Sequence, residues 1–129
     1  MKDSNTTLKK IKDHFNHYCD VREWKDDRPD GLLLSLQVEL GELSEHFKYN
    51  SHKNFDGIGV DKDKVAAEIV DVFNYLIRLT AKFDIDLAQA YEKKIRKLKA
   101  KYPIDTVKGK LGGKEHLARK RMYRMKGIN

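Results

Sequence analysis

One cysteine, two prolines and one tryptophan are spread over 129 residues. The single cysteine, Cys19, excludes a disulfide within the chain and fits a reducing compartment, most simply the cytoplasm. No apolar run approaches the roughly 20 residues that span a bilayer, so no membrane span is expected. The opening MKDSNTTLKK lacks an apolar core and does not read as a secretory signal. Strand-like alternation of useful length and internal repeats are also missing. The histidines show no zinc spacing with Cys19, which reads as a core residue. DGIG at 56–59 lacks both the GxxxxGK pattern and the preceding strand of a phosphate loop. What is left, with 36% charged and 40% hydrophobic residues, is a globular all-α domain with a modest core.

Apolar positions at Leu8, Ile11, Phe15, Tyr18 and Cys19 recur at helical spacing within residues 5–22. WKDDRPDG (24–31) reads as a turn, with Pro29 and Gly31 as breakers. Residues 32–49 read as a second helix, and 48–64 as a polar, glycine-containing loop. A third helix is expected from about Lys64 to Phe83, capped by Asp61 or Asp63. A fourth runs from Asp84 or Asp86 to about Lys101, where Pro103 stops it. Four helices with short connections predict a four-helix bundle-like domain over residues 1–103. Residues 104–129 are a basic C-terminal tail, whose eight Lys/Arg against two acids hold +6 of the formal +7. Within it, Lys114–Met125 reads as a short basic helix or a mobile segment. The tail has three readings: a solvated appendage, a nucleic-acid arm, or a flap that reaches an active site.

The stretch VELGELSEHF puts carboxylates into a leucine-rich helix. Glu39, Glu42 and His46 fall on one stacked face. Leu32, Leu36, Leu40, Leu43 and Phe47 flank it on one side, Leu34 and Val38 on the other. Charge between two apolar sectors is unfavourable unless something compensates it. The third helix repeats the arrangement: Glu68 and Asp71 are three apart, Tyr75 follows, and Val65, Val72, Leu76, Leu79 and Phe83 flank them. Two acid pairs on consecutive helices can converge four carboxylates on one spot, where they repel unless a divalent cation sits among them. Mg²⁺ suits such hard oxygen donors and keeps waters for a substrate phosphate. On the third helix Glu68, Asp71, Arg78 and Lys82 also share the one polar sector, so a plain solvent-facing reading stays open.

ELGE, then the 25 residues 43–67, then EIVD give ExxE–x25–ExxD. LLLSLQVELGEL, AAEIVDVFNYLIRLT and KKIRKLKAKYPIDTVKG follow in that order, from about Leu32 to Gly109. In these segments the sequence resembles the MazG-like all-α nucleoside triphosphate pyrophosphohydrolases, which include the dCTP pyrophosphatases. The resemblance implies that Glu39, Glu42, Glu68 and Asp71 are the Mg²⁺ ligands and catalytic carboxylates, with Mn²⁺ as a substitute. It implies phosphate contacts from Lys94, Lys97 and Lys101, and substrate contacts from Tyr75, Tyr49 and Trp24. The blander alternatives are a solvated helix face for the lysines and packing for Tyr49 and Trp24. The implied reaction is hydrolysis of a nucleoside triphosphate, ribo or deoxy, to the monophosphate and pyrophosphate, which clears unwanted nucleotides from the pool. Water attacks the α-phosphorus, with Glu42 as general base. Family members pair protomers to close the site, so a homodimer or homotetramer is expected, with Leu34 and Val38 as its apolar face. Val38 replaces an additional Glu of many members, Leu98 a usual Asn, and Asp30-Gly31 a usual basic-Asn pair; none of these touches the four ligands. The competing reading is a nucleic-acid- or nucleotide-binding protein with an inactive core, its basic tail meeting nucleic acid.

Overall fold

A computed structural model describes residues 1–24, 28–48 and 60–127. Among them the chain forms a 3-10 turn (Asp3–Asn5) and six α-helices: α1 (Leu8–Asp20), α2 (Pro29–Glu45), α3 (Lys62–Lys82), α4 (Leu87–Lys101), α5 (Ile104–Val107) and α6 (Lys114–Met125). No strand occurs among the described residues, so the class is all-α, as the periodicity predicts.

Three helix starts are fixed by side chains. Thr7 accepts from the Lys10 amide, Asp61 from the amides of Asp63 and Lys64, and Asp86 from that of Gln89. Each cap satisfies a donor that helix geometry leaves without a partner, worth about 1 kcal/mol. Asp61 and Asp86 therefore take the cap positions for which the sequence offered two candidates each. The start of α2 differs from expectation. Pro29, read as a breaker, is its first residue, where the missing amide hydrogen is harmless and φ is already helical. Gly31 then lies inside α2, which ends at Glu45 with His46 as its cap. Pro103 stops α4 as expected, but also begins the short α5, which the sequence did not signal. In the tail, Lys114–Met125 is helical. Most of the expected 48–64 loop lies outside the described residues.

The chain divides into two compact units, Met1–Ile85 and Asp86–Asn129. In the first, α2 and α3 form the principal packed pair and α1 packs more lightly on α3. Lys12 Nζ donates to the Ile85 carbonyl at 3.1 Å, tying α1 to the residues just past α3. Cys19, Leu32 and Ile77 are the buried apolar side chains among the described residues, and Ile77 is wholly enclosed. Leu34 (64% exposed), Val38 (57%), Ile69 (51%) and Val70 (53%) leave apolar surface uncovered on both α2 and α3.

In the second unit α6 packs on α4 and α5. The rings of Tyr102 and His116 lie 4.8 Å apart. Lys101 Nζ stands 5.5 Å from the Tyr102 ring and 5.1 Å from that of Tyr123. Among the described residues no helix is long and apolar enough to cross a membrane.

Candidate active site

The i, i+3 spacing on α2 and α3, and the packing of these two helices on each other, bring their acids together. Carboxylate oxygens of Glu39, Glu42 and Glu68 all lie within 4.8 Å of one another. Glu39 and Glu68 are half-buried and Glu42 is exposed. Asp71, one turn beyond Glu68, acts on the same group by charge. Burial pushes the Glu39 carboxyl above its usual range, and the charges of Glu42, Asp71 and Glu68 push it further. His46 Nε2 stands 3.8 Å from Glu68 Oε1.

Such a cluster holds its acids at a cost unless a cation or a proton neutralises them. The donor set fits a hard divalent cation. It is all oxygen, and its spread is close to the roughly 4.2 Å between opposite ligands of an octahedral Mg²⁺. The burial and crowding of Glu39 have a measurable consequence without metal. A carboxyl with a raised pKa binds its proton more tightly in the folded chain than in the unfolded one. Its support for the fold is complete below the ordinary 4.5 and is lost as pH rises through the raised value. In metal-free thermal melts, Glu39→Gln should therefore gain in midpoint relative to the parent as pH rises through that window. A difference that stays constant with pH would contradict the raised Glu39 pKa.

Beside the acids, side chains of α1, α2, α3 and the turn after α1 line a cavity of about 680 Å³, a size that accommodates a small organic ligand. Glu39 and Asp71 form one part of its wall, and Phe15, Tyr18 and Trp24 an aromatic part. The Phe15 and Tyr18 rings stack at 5.9 Å, and Trp24 meets Tyr18 edge-on at 5.9 Å. The Arg22 guanidinium lies 3.6 Å from the Tyr18 ring centre. Arg28, also in the wall, pairs with Asp30 (Nε to Oδ1, 3.0 Å) and holds its carboxyl below the usual range.

The structure brings together the oxygens of Glu39, Glu42 and Glu68; Asp71 is not in that close trio but lines the adjoining cavity with Glu39, Tyr75 and Trp24. Tyr49 lies outside the described residues. Lys94 and Lys97 are exposed on α4 and Lys101 is half-buried, all in the second unit. Sequence reasoning did not single out Phe15, Tyr18, Asn74 or Arg78 as wall residues. For the last two a signal existed, since Asn74 and Arg78 follow Asp71 at i+3 and i+7 on one helical face. Arg78 belongs to the polar sector of α3 for which a solvent-facing reading stayed open, yet only 7% of it is exposed.

No family model matches the chain. A crystal structure of a pyrophosphatase from Archaeoglobus fulgidus superposes with a TM-score of 0.69 at 27% identity, over 80% of this chain and 98% of that one. The chain therefore shares the all-α fold of that pyrophosphatase, and carries within it the acid pairs on α2 and α3. Its curated relatives are more particular. The chain is 32% identical over 107 residues to dCTP pyrophosphatase 1 of Mus musculus and 32% identical over 101 residues to that of Homo sapiens. These alignments take in 80% and 75% of this chain, but 63% and 59% of the relatives, so the chain spans about three fifths of their length.

Proposed function

We propose that this chain is a divalent-metal-dependent nucleotide pyrophosphohydrolase that cleaves a nucleoside triphosphate, ribo or deoxy, to the monophosphate and pyrophosphate. The observation that carries the reading is the convergence of the Glu39, Glu42 and Glu68 oxygens within 4.8 Å, with Asp71 acting on the same group, beside an aromatic cavity. Glu39, Glu42, Glu68 and Asp71 hold Mg²⁺, with Mn²⁺ able to substitute. When bound, the metal neutralises charge on the phosphoryl oxygens and makes water more acidic. Glu42, the exposed member of the glutamate trio, takes the proton from the water that attacks the α-phosphorus. Trp24 and Tyr75, with Tyr49, hold the nucleoside end. Residues 1–103 act as the catalytic domain and 104–129 as a basic appendage. The assembly is a homodimer or homotetramer closed by the apolar faces of α2 and α3. The role is sanitation of a cytoplasmic nucleotide pool. The names of the relatives make dCTP the first nucleotide to try.

A phosphate-release assay with added inorganic pyrophosphatase, run over a panel of nucleotides, tests this. Mg²⁺-dependent phosphate release that requires the added enzyme supports the reading, and inertness toward every nucleotide contradicts it. One observation favours a second reading. Lys114, Lys120, Arg121 and Arg124 are exposed on α6, the footprint of a nucleic-acid-binding helix. Binding that weakens steeply with salt, with no hydrolysis, would favour it.

A further inference from the structure

Arg78 is the one buried charged side chain among the described residues. A charge is taken out of water only when partners compensate it. Part of that compensation is a hydrogen bond from Arg78 Nη2 to the Trp24 carbonyl oxygen, at 2.6 Å and across 54 residues of sequence. It joins α3, which carries two of the acids, to the turn that ends α1. Bonds between a guanidinium and an oxygen acceptor are among the stronger ones a protein makes.

The acceptor sits at a strained place. Glu23, just before Trp24, has φ 57°, a left-handed conformation that a side chain disfavours and that persists only when its surroundings hold it. From one side it is held by α1, since the Trp24 amide donates to the Cys19 carbonyl at 3.1 Å. From the other it is held by Arg78. Between these two bonds the indole is set edge-on against Tyr18 in the cavity wall. Trp24 is nevertheless 53% exposed, so packing alone fixes its ring weakly. Arg78 also follows Asp71 at i+7, and both line the cavity. One helical face therefore carries an acid of the cavity wall and the residue that anchors its aromatic part.

We propose that Arg78 is a positioning residue that sets nucleotide selectivity: by clamping the Trp24 carbonyl it fixes the aromatic wall at a set distance from the carboxylates. This rests on the reading of the cavity as a nucleotide site. An arginine is required because its planar fork reaches the carbonyl while its stem stays packed, and lysine offers only a point charge.

Trp24 is the chain's single tryptophan, so intrinsic fluorescence reports the clamp directly, with or without activity. The experiment compares the parent, Arg78→Met and Arg78→Lys for acrylamide quenching of Trp24, and for kcat and KM over a nucleotide panel with Mg²⁺. Arg78→Met should raise quenching and raise KM for the preferred nucleotide by about tenfold, the worth of one charge-assisted hydrogen bond. Its kcat should change far less, and the preference between nucleotides should narrow. Arg78→Lys should lie between, and it carries the test if Arg78→Met fails to show parental helical content. Folded variants with parental quenching overturn the clamp. A uniform rise in KM for every nucleotide with unchanged quenching also overturns it, since Arg78 would then touch substrate itself. If the parent hydrolyses nothing, the functional reading falls, while the quenching comparison still decides whether Arg78 fixes Trp24.

Discussion

Glu68→Gln should leave the helical content intact and lower nucleotide hydrolysis by about a hundredfold or more, since it removes a charged donor at the point where phosphoryl charge is neutralised. The change keeps the shape of the side chain and removes one negative charge from a cluster in which Glu68 already pushes the Glu39 carboxyl up. In the absence of metal, its thermal midpoint should therefore equal or exceed the parent's. The parent should gain stability on addition of Mg²⁺, because a ligand that binds only the folded state stabilises it by mass action; the variant should lose that gain. The opposite signs of the two effects separate a metal site from an ordinary structural role. Parental hydrolysis by Glu68→Gln would remove Glu68 from the site.

The double change Leu34→Asp, Val38→Asp should convert an associated protein into monomers and lower kcat/KM with it. Both side chains are more than half exposed on the helix that supplies Glu39 and Glu42. In a two-fold interface each substitution enters twice, so four charges would have to be buried without partners. Charged groups left unpaired in an interface weaken it by several kcal/mol, about a thousandfold in dissociation constant. Light scattering on the eluting protein reads the mass, and the nucleotide assay reads the site. A variant that keeps the parent's mass would place the interface elsewhere or show the parent to be monomeric.

The elements were legible where one local rule decided them. Apolar residues at helical spacing marked α2 and α3, and aspartates at 61 or 63 and at 84 or 86 marked two caps, which Asp61 and Asp86 take. Pro29 misled because proline breaks a helix from within but begins one well, and only the position of the first turn decides which applies. The acid pairs were legible because i, i+3 spacing fixes a face, and the packing of α2 on α3 then brings the faces together. Of the aromatic wall only Trp24 was legible, through the family resemblance; its companions were not. Phe15, Tyr18 and Trp24 come from α1 and the turn after it, and their meeting with Asn74 and Arg78 depends on how α1 lies on α3, which no short-range pattern encodes. A solvent-facing reading stayed open for Arg78 for the same reason, as its partner is a backbone carbonyl 54 residues away. A carbonyl leaves no mark in the sequence.

The most direct test of the account is the fate of oxygen from solvent. Hydrolysis of a nucleoside triphosphate by this protein in ¹⁸O-enriched water, with Mg²⁺, should place the label in the nucleoside monophosphate and leave the pyrophosphate unlabelled, as read by mass spectrometry. Label confined to pyrophosphate or orthophosphate would contradict attack at the α-phosphorus and with it the proposed function.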